Sequence, residues 1–250
     1  MNLLILDAGH AEKVAGKRNE KENFYEWKFN DSMQYKIKKR AEEHGITVYL
    51  TNPNPKGIDE IGLSKRCTLA NNYWTSKSKP KSLFISLHAN AFSNPSARGT
   101  ETYVHNTNAS QNSKNAARYV QDELMKCMKS LDSSAKDRGV KSYNYAVLRE
   151  TSMPSILIEY AFYSNLADLK ILKNNEDELV EATVKAICKY FNISYKSPIV
   201  VKPVENTKTE IWYRAVCGSF KTKAAAEARI KELSSKGFDG CFITTFEKKI

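Results

Sequence analysis

The sequence predicts an α/β domain with a mostly parallel, twisted sheet of about six strands flanked by helices, followed by a small β-α-β module. Three observations support this prediction. Short apolar runs alternate with amphipathic helical segments over residues 1–192. Several apolar runs are continuous, as expected for strands that are buried on both faces. The alternation then stops at a segment with two prolines, and a shorter strand–helix–strand pattern follows.

The elements of the main domain follow from these patterns. Apolar runs predict strands at residues 3–8, 47–51, 83–88, 100–105, 146–149 and 156–161. Apolar residues that recur every three or four positions predict the helices between the strands. These residues are Phe29, Met33 and Ile37; Cys67, Ala70 and Trp74; Ala117, Val120, Leu124, Met128 and Leu131; and Leu179, Thr183, Ala186 and Tyr190.

The composition divides the chain into three parts. We expect a main domain over residues 1–192, a linker over residues 193–209 and a small module over residues 210–250. In the module, strands at residues 211–217 and 241–245 flank a helix over residues 223–236, whose inner face carries Ala226, Ile230 and Leu233. A unit of this size buries little core, so we expect it to pack on the main domain or to form a homodimer.

Charge and composition limit the partners and the classes of function that the protein can have. The net charge of +11 indicates an anionic partner, either nucleic acid or an anionic cell-wall polymer. The sequence has no zinc-finger spacing, RNA-recognition motif or long basic helix, which disfavours nucleic acid. It also has no apolar stretch long enough for a membrane span. The five cysteines are scattered without a C-x-x-C pair, which favours reduced and mostly buried thiols.

The first seven residues form an apolar run that ends in an acid. The run lacks a basic n-region, so it predicts a buried strand rather than a signal peptide. We therefore expect the protein to be made in the cytoplasm and to stay there; if it acts on a cell wall, another agent must release it.

Four residues stand out as candidates for chemistry. His10 follows the first predicted strand, His88 closes the third, Glu159 ends the last, and Glu26 lies in the first turn of the first helix. Ligands collect at the carboxyl ends of strands in an open parallel sheet. Two imidazoles and one carboxylate are a standard ligand set for catalytic zinc, and a second carboxylate suits a proton shuttle. Asp7 and Asn90 flank these positions and are candidates for orienting the ligands.

The same residues are also consistent with purely structural or solvent-exposed roles. A lone histidine at a strand end is more often a hydrogen-bonded core residue than a ligand. Glu26 is equally consistent with a solvated acid near Glu20 and Glu22 that interacts with the helix dipole. Glu159 is harder to explain in this way, because a carboxylate after four apolar residues is costly to bury without a partner.

Two other histidines favour structural roles. His44 lies at a predicted helix C-terminus, where an imidazolium would interact favourably with the helix dipole. His105 follows a predicted strand and is consistent with a surface position.

These motifs resemble the zinc-dependent N-acetylmuramoyl-L-alanine amidases of the Amidase-3 type, and in particular the phage endolysins of clostridia and other Gram-positive hosts. The matching segments follow the family's order: L-D-A-G-H at residues 6–10, E-x-x-x-N at 26–30, S-L-H-A-N-A at 86–91, G-T-E-T-Y at 99–103 and I-E-Y-A-F-Y-S-N at 158–165. The helical flanks extend the likeness to about residue 191.

The resemblance implies zinc on His10, Glu26 and His88, with Glu159 as the catalytic carboxylate. It also favours Glu26 over Glu22, and it makes Glu101 a site-lining or structural acid. The family usually has D-P-G-H-G-G where this chain has D-A-G-H-A-E. This departure affects the expected substrate contacts more than metal binding.

The C-terminal segment resembles half of a SPOR-type module, which binds peptidoglycan glycan strands. The resemblance implies a peptidoglycan amidase released as a phage endolysin, with homodimerisation as one way to complete the module. Alternatives are a zinc peptidase that cuts stem peptides, a cell-wall-binding protein with an inactive site, and a host autolysin.

Overall fold

The computed structural model describes residues 1–198 and 217–245. The chain divides into two compact units, Met1–Pro198 and Ile199–Ile250. Most of the predicted linker, from residue 199 onward, and the predicted strand at 211–216 lie outside the described residues. Among the helices of the described residues, none is both long and apolar enough to cross a membrane.

The first unit is built on a six-stranded sheet with the order β4-β1-β5-β8-β6-β7. All neighbouring strands are parallel except β6 and β8, which are antiparallel. This confirms the predicted mostly parallel sheet. The strands are β1 (Asn2–Ala8), β4 (Thr47–Leu50), β5 (Lys81–Asn90), β6 (Thr100–His105), β7 (Asp137–Tyr143) and β8 (Ser155–Phe162), and a separate two-residue hairpin consists of β2 (Arg18–Asn19) and β3 (Phe24–Tyr25).

Helices cover both faces of the sheet, as the apolar periodicity predicts. One face packs against α1 (Glu26–Glu43), α3 (Gln111–Leu131), α5 (Leu166–Asn174) and α6 (Glu176–Phe191). The opposite face packs against α2 (Leu63–Ser76) and the short α4 (Ala146–Arg149). We call the latter the α2/α4 face. Side chains alternate along each strand, so Leu3, Ile5, Phe84 and Leu157 lie on this face.

The prediction of a strand at residues 146–149 was wrong. These residues form α4, and its Val147 and Leu148 are buried in the core of the α2/α4 face. A four-residue apolar run does not distinguish a strand from a buried helical turn. The sixth strand is instead β7, an edge strand with no fully buried residue, and its sequence therefore lacks the apolar run that the other strands show.

The residues that lead toward the second unit are anchored on the first. The His44 Nδ1 atom donates to the Arg40 carbonyl at 2.7 Å, and its Nε2 atom accepts from the Lys196 amide at 2.9 Å. A carbonyl only accepts and an amide only donates, so both bonds require a neutral ring. His44 is therefore structural, as predicted, but it acts as a neutral cap and not as an imidazolium.

In the second unit, the described residues contain one helix, α7 (Lys223–Ser235), which confirms the predicted helix. Its N-cap Thr222 accepts a hydrogen bond from the Ala225 amide at 3.3 Å. The predicted inner residues Ala226, Ile230 and Leu233 are half-buried on a helix that is otherwise almost entirely exposed. Residues 241–245 were predicted as a strand, but they form no strand in the described part of the chain.

The thiols are less uniformly buried than predicted. Cys67 and Cys188 are buried, Cys127 and Cys241 are partly buried, and Cys217 is exposed.

Candidate active site

Three of the predicted residues converge at the carboxyl edge of the sheet. The Oε1 atom of Glu26 lies 3.4 Å from His10 Nε2 and 3.1 Å from His88 Nδ1. One potential ligand atom from each residue lies within 4.8 Å of the others. A tetrahedral zinc ion with bonds of about 2.1 Å separates its ligand atoms by about 3.4 Å. The donor set and its spacing therefore fit a zinc ion.

Glu26 is held in place by the hairpin that precedes α1. Its amide donates to the Lys17 carbonyl at 3.0 Å, and Phe24 of the hairpin stacks on Tyr163 with ring centroids 5.4 Å apart. One turn later, the buried Asn30 amide donates to the Gly9 carbonyl at 3.0 Å. The E-x-x-x-N element thus supplies one candidate ligand and ties α1 to the loop that carries another.

Buried side chains bind the carbonyls of three successive residues, Ala8, Gly9 and His10. Asn52 donates to the Ala8 carbonyl at 2.9 Å and to the His10 carbonyl at 3.0 Å, and Arg66 donates to the Ala8 carbonyl at 2.7 Å. His10 itself has a φ of 65°, which is uncommon for a residue with a side chain. These bonds hold the strained backbone in place and direct the ring toward Glu26.

Gly9 makes room for His88. A Cβ atom at position 9 would lie 2.1 Å from the His88 Cε1 atom. The imidazole therefore packs directly against the Gly9 backbone, and any larger residue would displace it. The glycine of the A-G-H element is required by this contact.

The electrostatics of the cluster follow from its shared hydrogen bonds. Burial alone would raise the pKa of Glu26, but hydrogen bonds to His10 and His88 hold it at about 2. Burial would likewise lower the pKa of His10, but Glu26 and Glu60 outweigh it and raise the pKa to about 9. Two carboxylates beside one imidazole thus make the cluster attractive to positive charge.

Glu60 is a site residue that sequence reasoning missed. Its Oε1 atom lies 3.2 Å from His10 Nδ1 and 3.3 Å from Arg66 Nη2. A carboxylate on the distal nitrogen of a metal-bound histidine fixes the ring and its tautomer. Glu60 lies in an irregular loop before α2, where neither periodicity nor spacing distinguishes it from the other acids.

Glu159 lies beside the cluster on the next strand. It pairs in register with His88 across β5 and β8, and its Oε2 atom is buried with no hydrogen-bond partner among the described residues. Burial, and then the negative charges of Glu26 and Glu101, raise the pKa of Glu159 well above its usual range. A buried carboxyl oxygen with no partner is rare in a purely structural role.

Asp7 and Asn90 were expected to orient the candidate ligands, but their side chains bond to groups other than His10 and His88. Asp7 accepts hydrogen bonds from Thr51 at 2.6 Å and Ser86 at 2.9 Å and forms an ion pair with Arg66 at 3.3 Å. It therefore supports the sheet beneath the site. Asn90 donates to Glu101 at 2.7 Å.

Glu101 is buried on the same side of the sheet as Glu159, its cross-strand partner. It lies at the start of β6, which runs opposite to the neighbouring β8, so the start of this strand meets the carboxyl ends of the others. His105, which we expected at the surface, is buried at the far end of β6 and bonded to Asn108 and Asn144.

Comparisons with known proteins indicate the families of two parts of the chain. Residues 4–189 match the Amidase_3 model, N-acetylmuramoyl-L-alanine amidase, and residues 189–244 match the SPOR domain. The Bacillus subtilis amidase LytC is 40% identical over 91 residues, which are 36% of this chain and 17% of LytC. An endolysin of Bacillus phage SPP1 is 29% identical, over 78% of this chain and 68% of its own length.

Solved structures share the fold. The N-acetylmuramoyl-L-alanine amidase of Clostridium difficile 630 superposes with a TM-score of 0.66 and 30% identity, over 76% of this chain and 96% of its own. The first unit thus has the fold of an amidase catalytic domain, with a candidate metal cluster at one edge of its sheet. The chain belongs to the Amidase_3 family of N-acetylmuramoyl-L-alanine amidases.

Proposed function

We propose that this protein is a zinc-dependent amidase that hydrolyses the bond between N-acetylmuramic acid and L-alanine in peptidoglycan. The observation that carries the proposal is the cluster of His10, Glu26 and His88, with Glu159 as its neighbour across the strand pair. Family membership supports the choice of the muramoyl–alanine amide as the bond that is cleaved.

His10, Glu26 and His88 are the proposed ligands. When bound, Zn²⁺ supplies an activated water and polarises the scissile carbonyl. Glu60 keeps the His10 ring oriented, since it is close to the ring nitrogen that faces away from Glu26. The tight packing of His88 on Gly9 has the same effect on the second ring.

Glu159 is the proposed proton carrier. Its unbonded Oε2 atom is available to take a proton from the attacking water and to deliver it to the leaving amine of L-alanine. The products are a muramoyl carboxylate and a stem peptide with a free L-alanine amino group.

We propose that the C-terminal unit binds the cell wall. The match to a SPOR domain and the net charge of +11 support peptidoglycan and anionic wall polymers as its ligands. Release from the host cytoplasm as a phage endolysin, with lysis as the result, is part of the same proposal, and the relative from phage SPP1 supports it. Homodimerisation through this unit stays a prediction.

Two alternatives remain from the sequence. A zinc peptidase that cuts stem peptides would use the same cluster, and its products would carry new peptide ends beyond L-alanine. A wall-binding protein with an inactive site would bind walls without releasing any product.

The test is the clearing of purified Gram-positive walls, measured as turbidity loss. We expect clearing that a chelator abolishes, that zinc restores and that Glu159→Gln lacks, together with new N-terminal L-alanine. Glu22→Gln, on the hairpin turn before Glu26, is the matched control and should clear walls like the parent. Wall binding without any product would overturn the proposal.

A further inference from the structure

A cationic cluster adjoins Glu159 on the α2/α4 face and has no part in the proposed chemistry. The carboxylate of Glu101 lies at its centre. One oxygen accepts from Asn90 at 2.7 Å and from Tyr103 at 3.0 Å. The other accepts from Arg138 at 2.6 Å and from Lys141.

The cluster carries a net positive charge. Burial would raise the pKa of Glu101, but the hydrogen bonds from Lys141 and Arg138 lower it, so the carboxylate stays ionised. One buried anion thus faces two cations. The side chains of Arg138 and Lys141 are 34% and 36% exposed, whereas that of Glu101 is 2% exposed. Solvent therefore meets the cations and not the anion.

The Arg138 guanidinium is fixed in a way that leaves its outer edge available. Among the described residues, only its Nε atom has a hydrogen-bond partner, which is Glu101. The guanidinium carbon lies 4.9 Å from the centroid of the Phe162 ring. Both contacts restrict rotation, and the two terminal amino groups stay unused. The N–H groups along the outer edge of a guanidinium form a fork, which can bind a carboxylate through two parallel hydrogen bonds.

The position of this fork relative to the reacting bond follows from strand register. Glu101 is the cross-strand partner of Glu159, and such partners have Cβ atoms about 5 Å apart. Arg138 reaches Glu101 from β7, one strand further out. The strand register shifts after His88, so that Asn90 pairs with Phe162, whose ring contacts Arg138. Two extended residues span about 7 Å, which exceeds the spacing of about 4.8 Å between neighbouring strands. A stem peptide that starts beside Glu159 on β8 therefore reaches Glu101 on β6, where Arg138 is bound.

We propose that Arg138, assisted by Lys141, forms a subsite for a carboxylate of the stem peptide on the L-alanine side of the scissile amide. This inference rests on the amidase function proposed above. The carboxylate that fits this distance is the α-carboxylate of the second, D-glutamyl residue. The subsite would favour stems with this free acid over stems in which it is amidated.

The test uses the full-length, zinc-loaded chain and two soluble muramoyl tripeptides, MurNAc–L-Ala–γ-D-Glu–L-Lys with either an α-carboxylate or an α-carboxamide on the second residue. We expect the parent to have a kcat/KM about tenfold or more higher for the acid, the range of a charge-assisted hydrogen-bond pair. Arg138→Gln should bring the ratio of the two values close to one, mainly through KM for the acid.

Three further variants separate the effect of the fork from that of charge and provide a control. Arg138→Lys keeps the charge without the fork and should recover part of the preference, and Lys141→Gln should reduce it less than Arg138→Gln does. Arg118→Gln changes an exposed arginine of α3 and should retain the parent ratio. If Arg138→Gln does not fold, Arg138→Lys and Lys141→Gln carry the test.

Equal cleavage of both tripeptides by the parent, or an unchanged ratio in Arg138→Gln, would overturn the subsite while leaving the amidase function intact. If the parent cleaves neither tripeptide nor walls, the proposed function fails instead. In that case, the affinities of zinc-loaded Glu159→Gln for both tripeptides are measured by calorimetry. Tighter binding of the acid would support the subsite, and equal affinities would overturn it.

Discussion

At the residue scale, each proposed zinc ligand depends on a neighbour that is not itself a ligand. His10 is oriented by Glu60, His88 rests on Gly9, and Glu26 is fixed through the Lys17 carbonyl. These contacts support the distances of 3.4 Å and 3.1 Å from Glu26 Oε1 to His10 Nε2 and His88 Nδ1. Two substitutions outside the ligand set therefore test the site.

Replacing Glu60 with alanine should weaken zinc binding by roughly 10- to 100-fold, since removal of a carboxylate behind a metal-bound histidine has effects of this size. Zinc affinity is measured by competition with a chelating dye. Asp59→Ala, the exposed neighbour in the same loop, is the control and should bind zinc like the parent. Equal affinities for the two variants would mean that Glu60 does not support His10.

Replacing Gly9 with alanine should remove most zinc binding without unfolding the chain. The new Cβ atom would overlap the His88 ring at 2.1 Å, so the ring must leave its position. Gly62→Ala is the matched control, because a Cβ atom there meets nothing within 4 Å. Zinc binding by Gly9→Ala at the parent affinity would show that the ring accommodates the methyl group.

At the scale of elements, one buried arginine joins α2 to β1, the strand that precedes His10. Arg66 is 1% exposed and contacts Asp7, the Ala8 carbonyl, the Ile61 carbonyl and Glu60. The loop after His10 adds a second connection, since Glu12 bonds the Pro55 carbonyl and the Gly57 amide. The acid that departs from the usual D-P-G-H-G-G pattern thus ties the loop to the segment that carries Glu60.

Replacing Arg66 with methionine should destabilise the chain by about 3–5 kcal/mol, because the buried charge of Asp7 loses its partner. Urea denaturation of the metal-free protein measures this change. Arg118→Met, on the exposed surface of α3, should stay within about 0.5 kcal/mol of the parent. A loss below about 1 kcal/mol would mean that Asp7 is compensated by Thr51 and Ser86 alone.

At the scale of the whole molecule, both buried cores lie within Met1–Pro198. The last residues of this unit are anchored by His44 and by Tyr195, whose hydroxyl bonds Glu181 at 2.5 Å. The catalytic and wall-binding activities that we propose are therefore expected to separate between the two units.

A chain of residues 1–198 should cleave soluble muramoyl peptides with a kcat close to that of the full chain but should sediment less with purified walls. Binding of the full chain should weaken as salt rises, since charge attraction to anionic polymers is screened. The His44 anchor is retained in this shorter chain, so its melting temperature is the control for folding. Equal sedimentation of both chains would place wall binding in the first unit.

Apolar runs and helical periodicity predicted five of the six strands and the main helices, and with the family motifs they predicted the four residues proposed for catalysis. Strand ends are readable from apolar runs, and His10, His88 and Glu159 lie at or near them. The family motifs then distinguished Glu26 from its acidic neighbours. These features depend on residue type and short spacing, which a linear pattern contains.

The polar residues that support the site could be identified only once the strands were arranged in three dimensions. Glu60 and Arg138 lie in an irregular loop and an exposed edge strand, where composition is uninformative. Arg138 reaches Glu101 because β6 and β7 run opposite to β8, so their first residues meet the carboxyl ends of the other strands. Strand direction and order are set by packing of the whole sheet, and no local pattern encodes them.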